Sequence, residues 1–162
     1  MEITTKMEGY LSEDAKVAVE NNQGNNAIGG SFDVAVGDKL TLGKIDFRSA
    51  FMAPRDMKAS DWDKLSDDER ESQGRKSEWY VIETDKGDMP LSMLLRTHQG
   101  VKPKDGKIES AYCPKTRKPL QFIADEYGDL FGKVIVCIAS ADETNERFAS
   151  TVKHRWFKVE SK

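Results

Sequence analysis

Residues 129–140 read Asp-Leu-Phe-Gly-Lys-Val-Ile-Val-Cys-Ile-Ala-Ser, and the segment Val134–Ala139 inside them has no polar side chain. Four of its six residues are β-branched, and their stiff χ1 angles favour a pleated strand over a helix. Both alternating sets of side chains are apolar, which is typical of a strand covered on both faces. We therefore predict a buried central strand that pairs on both sides and holds Cys137 as an unpaired thiol.

The composition indicates one globular domain covering residues 1–162. The chain is long enough to bury a core, and 33% of its residues are charged against 38% hydrophobic. Residues 2–6 are mostly polar and no apolar run approaches the length of a membrane span, so neither a signal peptide nor a membrane partner is expected. Two cysteines are too few for a disulfide framework, and we expect a reducing, cytoplasmic setting.

The N-terminal third predicts one long bent strand. Apolar residues alternate from Phe32 to Phe47, and their parity changes after Gly43, which indicates a bulge. Residues 1–30 are weakly determined, apart from a short helix that Ser12 is expected to cap.

Residues 54–75 are predicted to form an acidic helical insertion. Ser66 and Glu69 match the Ser-x-x-Glu capping box at a helix start. Trp62 and Leu65 lie three residues apart, so we expect them to share one helix face and pack on the core.

The middle of the chain predicts a hairpin followed by a long irregular segment. Glu78–Thr84 and Met89–Leu95 are expected to pair around a turn at residues 85–88. Residues 97–119 contain two glycines and three prolines, and little regular structure is expected there.

The last third adds a short helix and two strands. Pro119 is expected to open an amphipathic helix that ends at Gly128, just before the central strand. Ala141–Thr151 is predicted to be a polar loop and Val152–Val159 a final strand.

Three strands, one helix and two strands form an order that resembles the OB-fold, a small Greek-key barrel. The resemblance is one of element order, and no motif of a specific family accompanies it. It implies a mainly β (α+β) protein, an OB-like β-barrel with a helical insertion between strands 1 and 2 and a short helix before the central strand. Another β-barrel or a β-sandwich fits the same order and stays open as the alternative.

Patterns typical of catalysis are missing from the sequence. His98 and His154 stand in different contexts, and there is no Gly-x-Ser-x-Gly elbow. The glycine-rich residues 24–30 lack the Lys-Ser/Thr ending of a phosphate loop, and the cysteines form no Cys-x-x-Cys pair. We therefore expect no enzyme, no cofactor and no metal site.

Two clusters of bases and aromatic residues point to a polyanionic partner. Arg96–Lys118 carries seven bases and two acids, although the whole chain has a net charge of −3. Lys153–Lys158 interleaves bases with Trp156 and Phe157. A protein that binds single-stranded nucleic acid needs cations to neutralise the phosphates and aromatic rings to stack on the bases. Such clusters are also common on ordinary solvated strands and loops.

We predict a non-enzymatic module that binds single-stranded DNA with little sequence preference, using the strand 2–3 hairpin. Of Trp79 and Tyr80 only one can point inward, and Tyr80 is expected to face outward and stack on a base. The expected nucleic-acid-binding residues are Tyr80, Arg96, Tyr112, Lys115, Arg117, Lys118, Lys153, Arg155, Trp156 and Phe157. The alternative is a structural or assembly protein, for example a phage particle component, whose partners are other protein chains. The oligomeric state stays open.

Overall fold

The computed structural model describes residues 2–24, 32–54, 56–96, 101–105, 108–145 and 150–160. The elements within these ranges are, in chain order, α1 (Thr5–Glu8), α2 (Glu13–Glu20), β1 (Lys39–Met52), α3 (Ala59–Asp63), α4 (Asp67–Gln73), β2 (Arg75–Thr84), β3 (Gly87–Pro90), α5 (Leu91–Leu95), α6 (Pro119–Asp125), α7 (Tyr127–Leu130), β4 (Val134–Asn145) and β5 (Ser150–Val159). The strands form one antiparallel sheet in the order β3-β2-β1-β4-β5.

The sheet is open, so the predicted closed OB-like barrel is wrong. β3 and β5 are its two edges, and no pairing joins them in the described part of the chain. β3 has only four residues and ends at Pro90, which has no N–H to donate to a ladder. The chain then turns directly into α5, which contacts both β2 and β5. Because the strands form a single sheet, the alternative of a β-sandwich does not apply either.

β1 changes its partner along its length. Its first residues pair with β4, and the stretch from Ile45 to Met52 pairs with β2. The register shifts between Leu42 and Ile45, which confirms the bulge predicted at Gly43. A Cβ at Gly43 would lie 2.8 Å from the carbonyl oxygen of Glu83, so the two strands approach closely where this residue has no side chain. The predicted start at Phe32 is wrong, because residues 32–38 form no strand.

The predicted central strand is confirmed in its place and only partly in its burial. Ile135 and Val136 pair with β1 on one side and with β5 on the other. Ile135 and Cys137 are buried in the main core, whereas the alternate residues are half-buried, so one face of β4 is only partly covered. Cys137 is a buried free thiol, as predicted.

A bulge in β4 divides its buried side chains between two clusters. The register with β5 shifts between Cys137 and Ala139. Beyond the shift, Ala139 packs with Trp156 in a small second cluster, which Val101 and Ile108 partly cover. Val101 and Ile108, which follow α5 in the chain, therefore pack on the face of the sheet that is turned away from the main core.

The predicted hairpin is confirmed only over Met89 and Pro90, which pair with β2, and the last loop was predicted wrongly. Leu91–Leu95 form the helix α5, and all five of its residues are buried, so its sequence carries no periodic signal that separates helix from strand. Most of Ala141–Thr151 is strand, because β4 runs to Asn145 and β5 begins at Ser150. These strand ends project beyond the core, where exposed polar residues pair through their main chains.

The helices match the sequence more closely. Ser12 caps α2 and Pro119 opens α6, both as predicted, although Gly128 lies inside α7 and does not end a helix. Helices α1, α2, α5, α6 and α7 supply residues to the main core on one face of the sheet.

The insertion is helical, and the capping box at Ser66 and Glu69 is confirmed. Its predicted anchoring is wrong, because α3 contains no buried residue and Trp62 and Leu65 are only half-buried. Trp62 packs instead within the insertion, where the Arg70 guanidinium carbon lies 5.5 Å from its ring centroid.

Candidate nucleic-acid interface

The aromatic residues predicted to stack on bases are in the interior. Tyr80, Trp156 and Phe157 expose 2%, 0% and 1% of their surface, so none of them can receive a base in this conformation. The predicted outward orientation of Tyr80 is wrong. Its ring lies 5.2 Å from that of Phe47, and its hydroxyl donates to the Gln23 carbonyl at 2.8 Å. Burial raises the pKa of this hydroxyl.

Arg155 is also buried, with 5% of its surface exposed. Its Nη2 donates to Asp33 Oδ1 at 2.8 Å, and its Nη1 donates to Asp142 Oδ1 at 2.8 Å. Burial acts to lower the pKa of Arg155, but the hydrogen bonds to Asp142 and Asp33 outweigh it and raise the pKa. The Arg155 guanidinium therefore holds parts of the protein together, and its donors are directed at protein acceptors.

Buried Glu126 organises the loop that holds the predicted basic residues. Its Oε1 accepts from the Tyr112 hydroxyl at 3.1 Å and from the Lys115 main-chain N–H at 2.8 Å, and its Oε2 accepts from the Thr116 N–H at 3.1 Å. Burial, more than the negative charge of Glu126, raises the pKa of Tyr112. The loop is thereby fixed against α6, and Lys115 and its basic neighbours project from a rigid support.

The remaining predicted cations differ in exposure. Lys115, Arg117 and Lys118 are exposed, while Arg96 is half-buried at the end of α5, where burial lowers its pKa. Lys153 Nζ lies 3.7 Å from Asp33 Oδ2. Lys107, one of the seven bases of the Arg96–Lys118 segment, and His98 lie outside the described residues.

The structure presents a different aromatic surface, which we call the Trp79 strip. It is the outer face of the β1–β2 hairpin, where side chains point away from the main core. The strip consists of three cross-strand pairs, Arg48 with Trp79, Ala50 with Ser77, and Met52 with Arg75. Trp79 is partly exposed, whereas its neighbour Tyr80 occupies the core side.

An open groove of about 560 Å³ lies beside Trp79. Its apolar lining comes from Phe32, Trp79, Val81 and Pro90, and its charged lining from Asp33, Arg48, Lys86 and Asp88. The groove therefore combines aromatic and aliphatic walls with a few fixed polar groups, the usual composition of a ligand site.

Two carboxylates hold the guanidinium of Arg48 in place. Arg48 donates to Asp46 Oδ2, and its Nη2 donates to Asp88 Oδ2 at 2.9 Å. The hydrogen bond to Asp46 raises the pKa of Arg48 despite partial burial. For Asp46, burial acts to raise the pKa, but hydrogen bonds from Ser12 and Arg48 outweigh it and lower the pKa. Arg48 lies across from Trp79, and because its side chain is already ordered, it would lose little further side-chain entropy on contacting a ligand there.

The outer position of Trp79 was missed because Trp79-Tyr80-Val81-Ile82 contains no polar residue to mark a face. The signal lay in β1, where Asp46 and Arg48 alternate with buried Ile45 and half-buried Phe47. Pairing β2 with β1 places Trp79 on the polar side, opposite Arg48.

Two further features of the described residues bear on the kind of site. No three His, Cys, Asp or Glu side chains among them come together in a way that could hold a metal ion. None of the helices seen in these ranges has the length and apolar character needed to cross a membrane.

A scan against protein-family models found no matching family, and searches of curated proteins and of solved structures found no match. The function of this chain is therefore inferred from its own residues.

Proposed function

We propose that this protein binds single-stranded nucleic acid, with little sequence preference overall, on the Trp79 strip. The observation that carries the proposal is the partly exposed indole of Trp79, which lies on the outer sheet face directly across from Arg48. An aromatic ring beside a guanidinium stacks on a base and places a cation near the backbone, and such stacking contributes roughly 1–3 kcal/mol per base.

The strip has the extended shape that a strand needs. Arg75 lies four residues from Trp79 along β2, a separation of about 13 Å at the rise of a β-strand. The Nε and Nη2 groups of Arg75 donate to the Ala53 carbonyl at 3.2 and 3.0 Å, which fixes this second guanidinium at the far end of the strip. A bound strand would thus meet an arginine at each end of the strip, with the ring of Trp79 beside the first.

The charges at the strip predict a modest dependence on salt. Arg48 is already neutralised by Asp46 and Asp88, so Arg75 is the main cation there to replace counterions. The exposed Lys115, Arg117 and Lys118 are still predicted to add phosphate contacts. Replacing all three with alanine should then flatten the log–log salt slope by roughly 0.7 per lost contact.

Intrinsic fluorescence gives a direct test. The chain has three tryptophans, Trp62, Trp79 and Trp156. Titration with oligodeoxythymidylate should quench the Trp79 emission, and the Trp79→Ala variant should lose this quenching and bind at least about fivefold more weakly. A parallel titration with the ribo-oligomer of the same sequence assigns the preference between DNA and RNA.

Trp62→Ala is the matched control for the loss of an indole, because Trp62 is also half-buried but lies in α3 and belongs to none of the three cross-strand pairs of the strip. It should bind as the wild type does. Undetectable binding at low salt, or equal affinities for the wild type and Trp79→Ala, would overturn the proposal.

One observation favours a second candidate, an assembly protein that contacts other chains. Phe51 and Met52 are 36% and 39% exposed at the end of β1, where the hairpin projects beyond the core. Exposed apolar side chains at such a tip suit a protein contact. Light scattering over a concentration series tests this candidate. Self-association that Phe51→Ser reduces would support it, and a wild type that stays monomeric without nucleic acid would count against it.

We place this binding activity in a reducing cytoplasm and assign it no catalytic step. The buried free thiol of Cys137 is compatible with that setting.

A further inference from the structure

We propose that the groove beside Trp79 favours a base whose edge carries an exocyclic amino group, with Asp88 as the acceptor. The inference rests on the proposed function and adds a base preference to it. It follows from one carboxylate, Asp88, that lines the groove with its side chain 46% exposed.

The strand pairing brings Asp88 to the same face as Trp79. On β3, Asp88 pairs with Glu83 and Pro90 pairs with Val81, and the alternation of β2 places Glu83, Val81 and Trp79 on one side. Asp88 lines the groove, and its side chain is 46% exposed. Its Oδ2 accepts from Arg48, which fixes the orientation of the carboxylate.

The other carboxylates at this site are more fully engaged. Asp46 accepts from Ser12 and from the Phe47 N–H through Oδ1, and from Arg48 through Oδ2. Asp33 Oδ1 accepts from the Nε and Nη2 of Arg155, and its Oδ2 lies 3.7 Å from the ammonium group of Lys153. No described residue donates to Asp88 Oδ1, so this oxygen is the acceptor that a ligand can use.

A carboxylate in this position is matched to a base edge and not to a phosphate. An ionised carboxylate only accepts hydrogen bonds, and it repels the phosphate backbone. The amino group of cytosine is the donor that aspartate side chains accept from in direct base readout. Thymine offers only its ring N–H, which lies between two carbonyl oxygens that repel a carboxylate. Arg48, held beside Asp88, can donate to the ring nitrogen next to the cytosine amino group.

The experiment compares oligodeoxycytidylate with oligodeoxythymidylate of equal length, at one salt concentration, with the full chain. We expect the wild type to bind the cytosine oligomer about fivefold more tightly, since one good base contact contributes about 1 kcal/mol or more of discrimination. The Asp88→Ala variant should bind the two oligomers equally, and its affinity for the thymine oligomer should equal or exceed that of the wild type.

Glu83→Gln is the matched control for the loss of one negative charge. Glu83 is exposed on the same face of the hairpin, directly across from Asp88, but it does not line the groove. This variant should keep the wild-type ratio of the two affinities. If Glu83→Gln bound the cytosine and thymine oligomers equally, overall charge, and not the Asp88 contact, would set the preference.

The outcomes separate the two proposals. Equal binding of both oligomers by the wild type, combined with weaker binding by Trp79→Ala, overturns the base preference and leaves the strip as the binding surface. Absence of binding to either oligomer overturns the proposed function and this inference together. A cytosine preference that Asp88→Ala abolishes supports both.

Discussion

Arg155 joins three parts of the chain through one guanidinium. It donates to Asp33 in the segment before β1, to the Ala141 carbonyl and Asp142 on β4, and to the carbonyl of His154 on β5. Removing the Arg155 side chain would leave its acceptors, two of them charged, without this partner, which costs free energy. It would also expose the neighbouring groups that this side chain now covers.

We predict that Arg155→Ala lowers the free energy of unfolding by about 3 kcal/mol, measured by urea denaturation. Arg155→Lys should lose somewhat less, because an ammonium keeps the charge but cannot reach all these acceptors. The neighbouring Lys153→Ala serves as the control. Lys153 makes one long contact to Asp33, so its loss should cost under about 1 kcal/mol. Equal stability of the wild type and Arg155→Ala would contradict the prediction.

At the residue scale, the sequence could show the chemistry of the side chains but not their direction. Bases interleaved with Trp156 and Phe157 suggested a surface, yet His154–Phe157 are all buried. Simple alternation would leave two of these four outside. The second apolar cluster covers Trp156, and the Asp33 and Asp142 carboxylates draw Arg155 inward. These partners are distant in sequence, so no local pattern reports them.

The acidic insertion shows the same limit at the scale of elements. Its helices and its capping box follow from local sequence, because capping involves residues only three positions apart. Where the insertion attaches depends on the length of the β1–β2 hairpin, which was not apparent from the sequence. The hairpin carries α3 and α4 beyond the core, and Trp62 packs against Arg70 of the same insertion.

We therefore predict that Trp62→Ala lowers the free energy of unfolding by about 1 kcal/mol or less, the range of a solvent-exposed cation–π contact. Trp156→Ala is the internal reference, because the Trp156 side chain is fully buried and its loss should cost about 3 kcal/mol or more. Thermal and urea unfolding of the two variants in parallel would measure the difference. A similar large loss in both would mean that the insertion is anchored to the core after all.

The strands illustrate which element boundaries a hydrophobic pattern can predict. The bulge at Gly43 and the central pairing of β4 were predictable because apolar parity marks them directly. The ends of β4 and β5 were not, since the residues there are polar and exposed and pair only through their backbones. The prediction for Leu91–Leu95 was wrong for the opposite reason, because an entirely buried helix shows no polar face.

At the scale of the whole molecule, the order of elements left the closure of the sheet undetermined. Two hairpins, β1–β2 and β4–β5, share a short junction in which Lys39–Thr41 pair with β4. Closure of the sheet would require the edge strand β3 to pair with β5. β3 ends at Pro90 after four residues, and the chain continues into the helix α5 instead. The outer face of the β1–β2 hairpin holds Trp79 across from Arg48, and this is the surface that carries the proposed function.

All four tyrosines of the chain use their hydroxyl groups to connect separate elements across this fold. Tyr10 donates to the Ile123 carbonyl of α6, and Tyr127 of α7 donates to the Gly43 carbonyl of β1. Tyr80 donates to the Gln23 carbonyl, and Tyr112 donates to Glu126. Burial is the main cause that raises the pKa of each, to about 12 for Tyr10 against an ordinary value of 10.0.

These shifts predict how the fold responds to alkali. Because the pKa values of the folded state are raised, the stability that the neutral phenols contribute is complete below pH 10.0 and is lost as the pH rises toward about 12. We expect phenolate absorbance to appear only in step with the loss of the folded circular dichroism signal. Tyr127→Phe, which removes one of the four tyrosine hydroxyls, should lower the total phenolate absorbance and leave the coupling of the two signals intact. Tyrosines that ionise near pH 10.0 while the circular dichroism stays unchanged would show that the four hydroxyls are open to solvent and do not hold the elements together.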